Sequence, residues 1–184
     1  GPDAIILDLE DSVAPSAKSA ARLIVRNALR QVDFGVAERM VRINQGELGL
    51  DDLEFIAEHG CHLVLIPKVE DPEEVRAVDA RLSELTDAPV LLMPIIESAK
   101  GVINAHSIAE ASQRNVALTI GPEDYTADLG VQRTRDGRES LFARQTVINA
   151  ARAAGLQAID TVHSDVSDPE GLRAAVMEAR GLGF

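Results

Sequence analysis

Residues 90–124, VLLMPIIESAKGVINAHSIAEASQRNVALTIGPED, hold two apolar runs with a helical stretch between them. The first run, 90–96, closes on Glu97, and the second, 116–120, closes on Gly121-Pro122-Glu123-Asp124. Each is short, nearly continuous in Ile, Val and Leu, and stopped by polar or Pro/Gly residues. That is the pattern of a strand buried on both faces of a parallel sheet. Four further runs read the same way, at 4–9, 40–44, 63–68 and 157–162. Helical stretches separate them. Asp71-Pro72-Glu73 and Asp168-Pro169-Glu170 each place an N-cap before a proline at the first helical position. The stretch 140–154 stops at Gly155, a helix C-cap signal. In 17–29 the apolar Ala17, Ala20, Ala21, Ile24 and Ala28 lie apart from Lys18, Arg22 and Arg26, which recur every fourth residue and read as a solvated face.

Strand alternating with helix predicts a parallel α/β sheet with right-handed crossovers. A doubly wound sheet would carry a glycine-rich first turn, and neither GxGxxG nor GxxxxGK[ST] occurs. Charged residues instead close almost every strand: Asp8-Leu9-Glu10-Asp11, Arg42, Lys68, Glu97 and Asp124. Function spread over the carboxyl ends of successive strands is the mark of a (β/α)8 barrel. Such a barrel takes roughly 250 residues, so six strands in 184 residues predict one lacking its first and last strands, as a single domain over 1–184.

Composition narrows the function. The chain is 46% hydrophobic and 26% charged, with a formal net charge of −12, no Trp and one Tyr. An acidic surface poor in aromatics argues against nucleic acid and anionic membranes as partners. No apolar run approaches the roughly 20 residues of a membrane span, no charged-then-apolar leader opens the chain, and the expectation is a soluble cytoplasmic protein. The single cysteine, Cys61, can form neither an internal disulfide nor a thiolate cage. It reads as a small buried hydrophobe.

Glu97 and Asp124 stand one βα unit apart, so a barrel would aim both into one mouth. Two carboxylates without nearby His or Cys suit a hard cation, and Mg²⁺ held by one or two carboxylates keeps positions open for substrate oxygens. The plainer alternative is that both acids only cap the helices that follow them. Arg42, beside Val41 and Ile43, offers a fork for a substrate carboxylate or a developing enolate. It could equally form a structural pair with Asp8 or Glu10, which share one face by period-two alternation, with Asp11 just beyond. Lys68 suits an ion pair better than a Schiff base. His163, Ser164 and Asp165 are adjacent and cannot face one another as a triad requires.

In order along the chain, DAIILDLEDSV, MVRIN, LIPKVE, PIIESAKGV, GPEDYTADLG and ARQTVINAARAAGLQAIDTV resemble the citrate lyase beta-subunit-like proteins of the HpcH/HpaI aldolase superfamily. The resemblance implies a Mg²⁺-dependent (β/α)8 barrel that cleaves or forms carbon–carbon bonds in citryl- or malyl-type thioesters. It implies Glu97 and Asp124 as metal ligands, Arg42 and Glu97 against the substrate, and Asp11 near them. A general base must also take the hydroxyl proton, and Asp11 is the best local candidate. The substrates would be a 2-oxo acid such as oxaloacetate and an acyl thioester of CoA or acyl carrier protein, and the assembly a homotrimer or hexamer. The family pattern also has a strand with a Phe-Val-Pro-Gly type turn before 4–9, and a strand and lid after the last helix. Three alternatives stay open: an aldolase acting on free 2-oxo acids, a non-catalytic carboxylate-binding or complex subunit, and a nucleotide-binding doubly wound domain.

Overall fold

A computed structural model describes every residue but Arg135. Six strands run parallel in strict chain order: β1 (Ala4–Asp8), β2 (Glu38–Arg42), β3 (Leu63–Ile66), β4 (Leu91–Ile96), β5 (Ala117–Ile120) and β6 (Gln157–Ile159). The helices are α1 (Lys18–Gln31), α2 (Gly46–Ile56), α3 (Pro72–Leu85), α4 (Ala99–Ala109), α5 (Pro122–Asp128), α6 (Leu141–Ala153) and α7 (Pro169–Leu182). A doubly wound sheet reverses its strand order at a switch point. This one never does, so crossovers of one hand stack the helices on one face.

Alternation along the strands separates two apolar layers. Val64, Leu92, Ile96 and Leu118 pack outward with Val25, Leu29, Leu53, Ile56, Leu82, Ile108 and Val147 of the helices. Leu63, Leu65, Met93, Ile95 and Ala117 form a second cluster drawn from strands alone. Side chains of both edge strands, Ile6 and Asp8 of β1 and Ile159 of β6, line a single cavity of about 670 Å³ with Arg42, Leu65, Met93, Ile95 and Thr119. The sheet therefore curls into an arc around that cavity. This is the TIM-type α/β arrangement the sequence predicts, in six strands.

Strand interiors fall where periodicity puts them, but their ends are set by tertiary contacts. β2 spans 38–42 rather than 40–44, because Glu38 and Arg39 pair with Ala4 and Ile5, while the Asn44 N–H turns away to Asp52 Oδ2 at 2.7 Å. β3 stops at Ile66, since Lys68 adopts a left-handed backbone with φ 51°. β6 stops at Ile159, and Asp160 accepts two hydrogen bonds from Arg144, at 3.1 and 2.6 Å.

The caps form as read. Asp71 accepts from Glu73 N–H at 2.9 Å, and Asp168 from Gly171 N–H at 2.8 Å. Gly155, at φ 74°, lets Leu156 N–H close on Ala151 O at 2.8 Å in a Schellman motif. The cationic stripe of α1 is not a solvated face. Lys18 donates to the carbonyls of Leu9 and Glu10, at 2.7 and 2.6 Å. Arg22 donates through Nε to the fully buried Asp52 at 2.5 Å. Lys18 ties α1 to the loop after β1, and Arg22 ties it to α2.

Candidate active site

The acids and bases of the strand ends converge at the mouth of the arc. Asp8, Asp11, Arg42, Glu97 and Asp124 all line the same cavity.

At the end of β1, the Asp8 carboxylate accepts Arg42 Nε at 2.8 Å and Nη2 at 2.6 Å, a bidentate fork. It also accepts the backbone N–H of Glu10 at 2.9 Å and of Ser12 at 3.2 Å. Burial pushes this carboxyl up. Arg42, Ser12 and the Glu10 N–H outweigh burial and hold it well below the usual carboxylate range. Arg42 in turn faces Glu10, with Nη1 to Oε2 at 3.1 Å. That contact lacks hydrogen-bond geometry, so Glu10 Oε2 is buried without a bonded partner. The structural pairing of Arg42 with Asp8 and Glu10 is therefore real. Because Arg42 also lines the cavity, the pairing orients the guanidinium there and leaves part of its donor set free.

Lys68 forms the ion pairs its strand-end position suggests, with three acids at once. Its Nζ lies 3.1 Å from Glu10 Oε1, 3.2 Å from Asp11 Oδ2 and 3.7 Å from Asp124 Oδ2. Partial burial works against its charge, but Glu10, Asp11 and Asp124 more than offset this and keep the ammonium protonated far above neutrality. Gln45 Nε2 adds a hydrogen bond to Glu10 Oε1 at 3.2 Å. Gln45 carries no signal in the sequence, whereas Glu10 is marked by its place in Asp8-Leu9-Glu10-Asp11 and by its period-two alternation with Asp8.

Glu97 follows β4 and is 5% exposed. It does not cap α4. Ser98 Oγ takes the Gly101 N–H at 3.1 Å, and Asp128 Oδ2 takes the Ala99 N–H at 2.8 Å. Asp124, in the first turn of α5, sits beside Glu97 and makes no cap bond either. Burial, then the neighbouring Asp124 and Glu10, push the Glu97 carboxyl up to about 8, against the opposing pull of Lys68. Burial and the neighbouring negative charge thus favour the protonated form of Glu97 more than in an ordinary carboxyl.

This pair fits a divalent cation. A Cβ at residue 121 would stand 2.6 Å from Glu97 Cγ and 2.8 Å from Cδ. The missing side chain of Gly121 is the room in which the Glu97 carboxylate lies. Among the described residues no group of three or more His, Cys, Asp or Glu is arranged to hold a metal. A hard cation on Glu97 and Asp124 would fill its other positions with water or substrate oxygens. Cys61 is 5% exposed, and burial pushes its thiol up to about 12, which makes it an unreactive core residue.

The chain matches the HpcH/HpaI aldolase/citrate lyase family over residues 1–184. It is 38% identical to citrate lyase subunit beta of Haemophilus influenzae, a match covering 100% of this chain and 66% of that protein. It is 34% identical to mitochondrial citramalyl-CoA lyase of Mus musculus, covering 99% of this chain and 59% of that protein. The chain thus spans less than two thirds of the length of these relatives. Among solved structures, the citrate lyase beta subunit of M. tuberculosis complexed with oxaloacetate and magnesium superposes with a TM-score of 0.79 at 37% identity, covering 99% of this chain and 78% of that one. Protein CitE from Mycobacterium tuberculosis in complex with magnesium, acetoacetate and coenzyme A gives 0.81 at 36% identity, covering 99% and 66%. With the sequence matched from end to end and the fold superposed over nearly all of it, the chain belongs to the HpcH/HpaI aldolase/citrate lyase family.

Proposed function

We propose that this chain carries the site of a Mg²⁺-dependent carbon–carbon lyase that cleaves or forms a citryl- or malyl-type thioester. Its two halves are oxaloacetate or a related 2-oxo acid and an acyl thioester on CoA or an acyl carrier protein. The observation that carries the reading is the buried Glu97 after β4 and its neighbour Asp124 in the first turn of α5, side by side and making no helix-cap hydrogen bond. The relatives support it: the M. tuberculosis complexes hold magnesium with a 2-oxo acid, or with acetoacetate and coenzyme A.

In the cleavage direction, the substrate hydroxyl loses its proton to Asp11, the bond between the carbinol carbon and its neighbour breaks, and the electron pair passes into the thioester enolate. Return of the proton to the enolate carbon gives the acyl thioester. Glu97 and Asp124 would hold Mg²⁺, which would supply Lewis-acid polarisation to the oxygens of the 2-oxo acid half. Arg42, fixed by Asp8, stabilises negative charge on the carboxylate or enolate. Leu65, Met93 and Ile95 make the apolar part of the cavity wall. The homotrimeric or hexameric, cytoplasmic form belongs to the same reading. The exposed Leu172, Val176 and Met177 of α7 and Leu23 and Ile24 of α1 support burial against further protein.

The test is release of 2-oxo acid from citryl-, citramalyl- and malyl-CoA, followed with a coupled dehydrogenase. The reading predicts turnover that needs Mg²⁺ and falls by about a hundredfold or more in Glu97→Gln. Pyruvate released from free hydroxy-oxo acids but from no thioester would replace it with the aldolase. Metal binding without turnover on any of these would replace it with a carboxylate-binding subunit.

A further inference from the structure

Lys68 is the one non-glycine among the described residues with its backbone in the left-handed region, where an L side chain is disfavoured. The chain holds it there through Val69, the residue that follows. Val69 N–H donates to Ile95 O at 3.1 Å, and Val69 O presses so close to α4 that a Cβ on Gly101 would stand 2.6 Å from it. The turn lifts the side chain over the mouth. There it reaches acids that follow strands not neighbouring its own: Glu10 and Asp11 in the loop after β1, and Asp124 in the first turn of α5, after β5.

Charge gives this placement a consequence. The mouth gathers Asp8, Glu10, Asp11, Glu97 and Asp124 against Arg42 and Lys68, and Arg42 pairs with Asp8 and Glu10 rather than with Asp124. Lys68 is the cation left facing Asp124. Toward a metal ion it is a competitor, since it draws on the same carboxylate and repels the incoming charge. Toward a dianionic oxo acid it is an attractor.

We propose that Lys68 is a positioning residue that couples the two ligands: it holds down the affinity for Mg²⁺ alone and restores it when an oxo-dicarboxylate binds alongside. The proposal rests on the reading of Glu97 and Asp124 as the metal pair. By linkage the coupling is reciprocal, so it is read equally from either ligand.

Calorimetric titration of Mg²⁺, without and with oxaloacetate, on the wild type, Lys68→Met, Lys68→Gly and Lys68→Arg tests it. Thermal unfolding without metal checks that each variant folds, and glycine suits the left-handed backbone should methionine fail there. Loss of one charge at this distance predicts Mg²⁺ alone binding about fivefold more tightly in the Met and Gly variants. The tightening by oxaloacetate shrinks by about fivefold or more in both, and Lys68→Arg keeps the wild-type pattern. Mg²⁺ affinity and coupling unchanged in Lys68→Gly overturn the proposal, because the ammonium is then not the agent. If the wild type binds Mg²⁺ no better than Glu97→Gln, the metal pair falls, and this coupling with it. If Glu97→Gln abolishes binding while the Lys68 variants match the wild type, the coupling alone falls.

Discussion

Asp8 and Arg42 face each other at the ends of β1 and β2, with side-chain exposures of 16% and 23%. A charge-assisted fork at that depth contributes about 1–3 kcal/mol. The sign of its pH dependence follows from the lowered Asp8 pKa. The unfolded chain protonates this carboxyl near an ordinary value of about 4, whereas the folded chain holds the anion to lower pH. The unfolded state therefore takes up the proton first, and the contribution is complete above about pH 4 and fades as the pH falls through the folded value. Urea unfolding of the wild type and Asp8→Asn measures this. The variant should be about 1–3 kcal/mol less stable at pH 7, with the gap closing below about pH 4. A gap that stays constant down to about pH 2 would contradict it. The pairing was legible in part, since alternation put Asp8 and Glu10 on one face. That Lys68 would complete the cluster was not, because its direction comes from a left-handed turn pinned by Val69 and Gly101.

Adjacent strand ends, rather than single residues, shape the metal pair. The Gly121 N–H donates to Ile96 O at 3.0 Å, so the end of β5 runs against the residue that follows β4. Its φ of −108° is open to any residue, and glycine is required there only by the close approach of Glu97. In Gly121→Ala the new methyl must displace the carboxylate, at a cost of about 1–3 kcal/mol. The added effect is loss of the thermal stabilisation that Mg²⁺ gives the wild type. An equal Mg²⁺-induced rise in Tm in both proteins would show that Glu97 does not ligate the metal.

Element interiors were readable because apolar runs and the Asp-Pro and Gly punctuation are local signals. The strand ends of β2 and β6 were not, since they answer to Asp52 and Arg144 in other elements. The same holds for the α1 stripe: helical spacing shows that Lys18 and Arg22 share a face, but not that α2 and the loop after β1 lie against it.

At the scale of the molecule, six parallel strands in chain order curl so that both edge strands border one cavity. The outer layer of the arc is sealed by helices and the inner one filled by strand side chains. That leaves the carboxyl ends of the strands as the place where ionisable groups meet. No described helix is long and apolar enough to cross a membrane. On a chain of net charge −12, an anionic substrate needs local cations. The mouth offers Arg42, Lys68 and, on the proposed reading, a metal.

Calorimetric titration of Mg²⁺ into the wild type, Glu97→Gln and Asp124→Asn, with and without oxaloacetate, tests this most directly. The account predicts that oxaloacetate tightens Mg²⁺ binding in the wild type and that either substitution abolishes it. Mg²⁺ binding alike in all three proteins would contradict it.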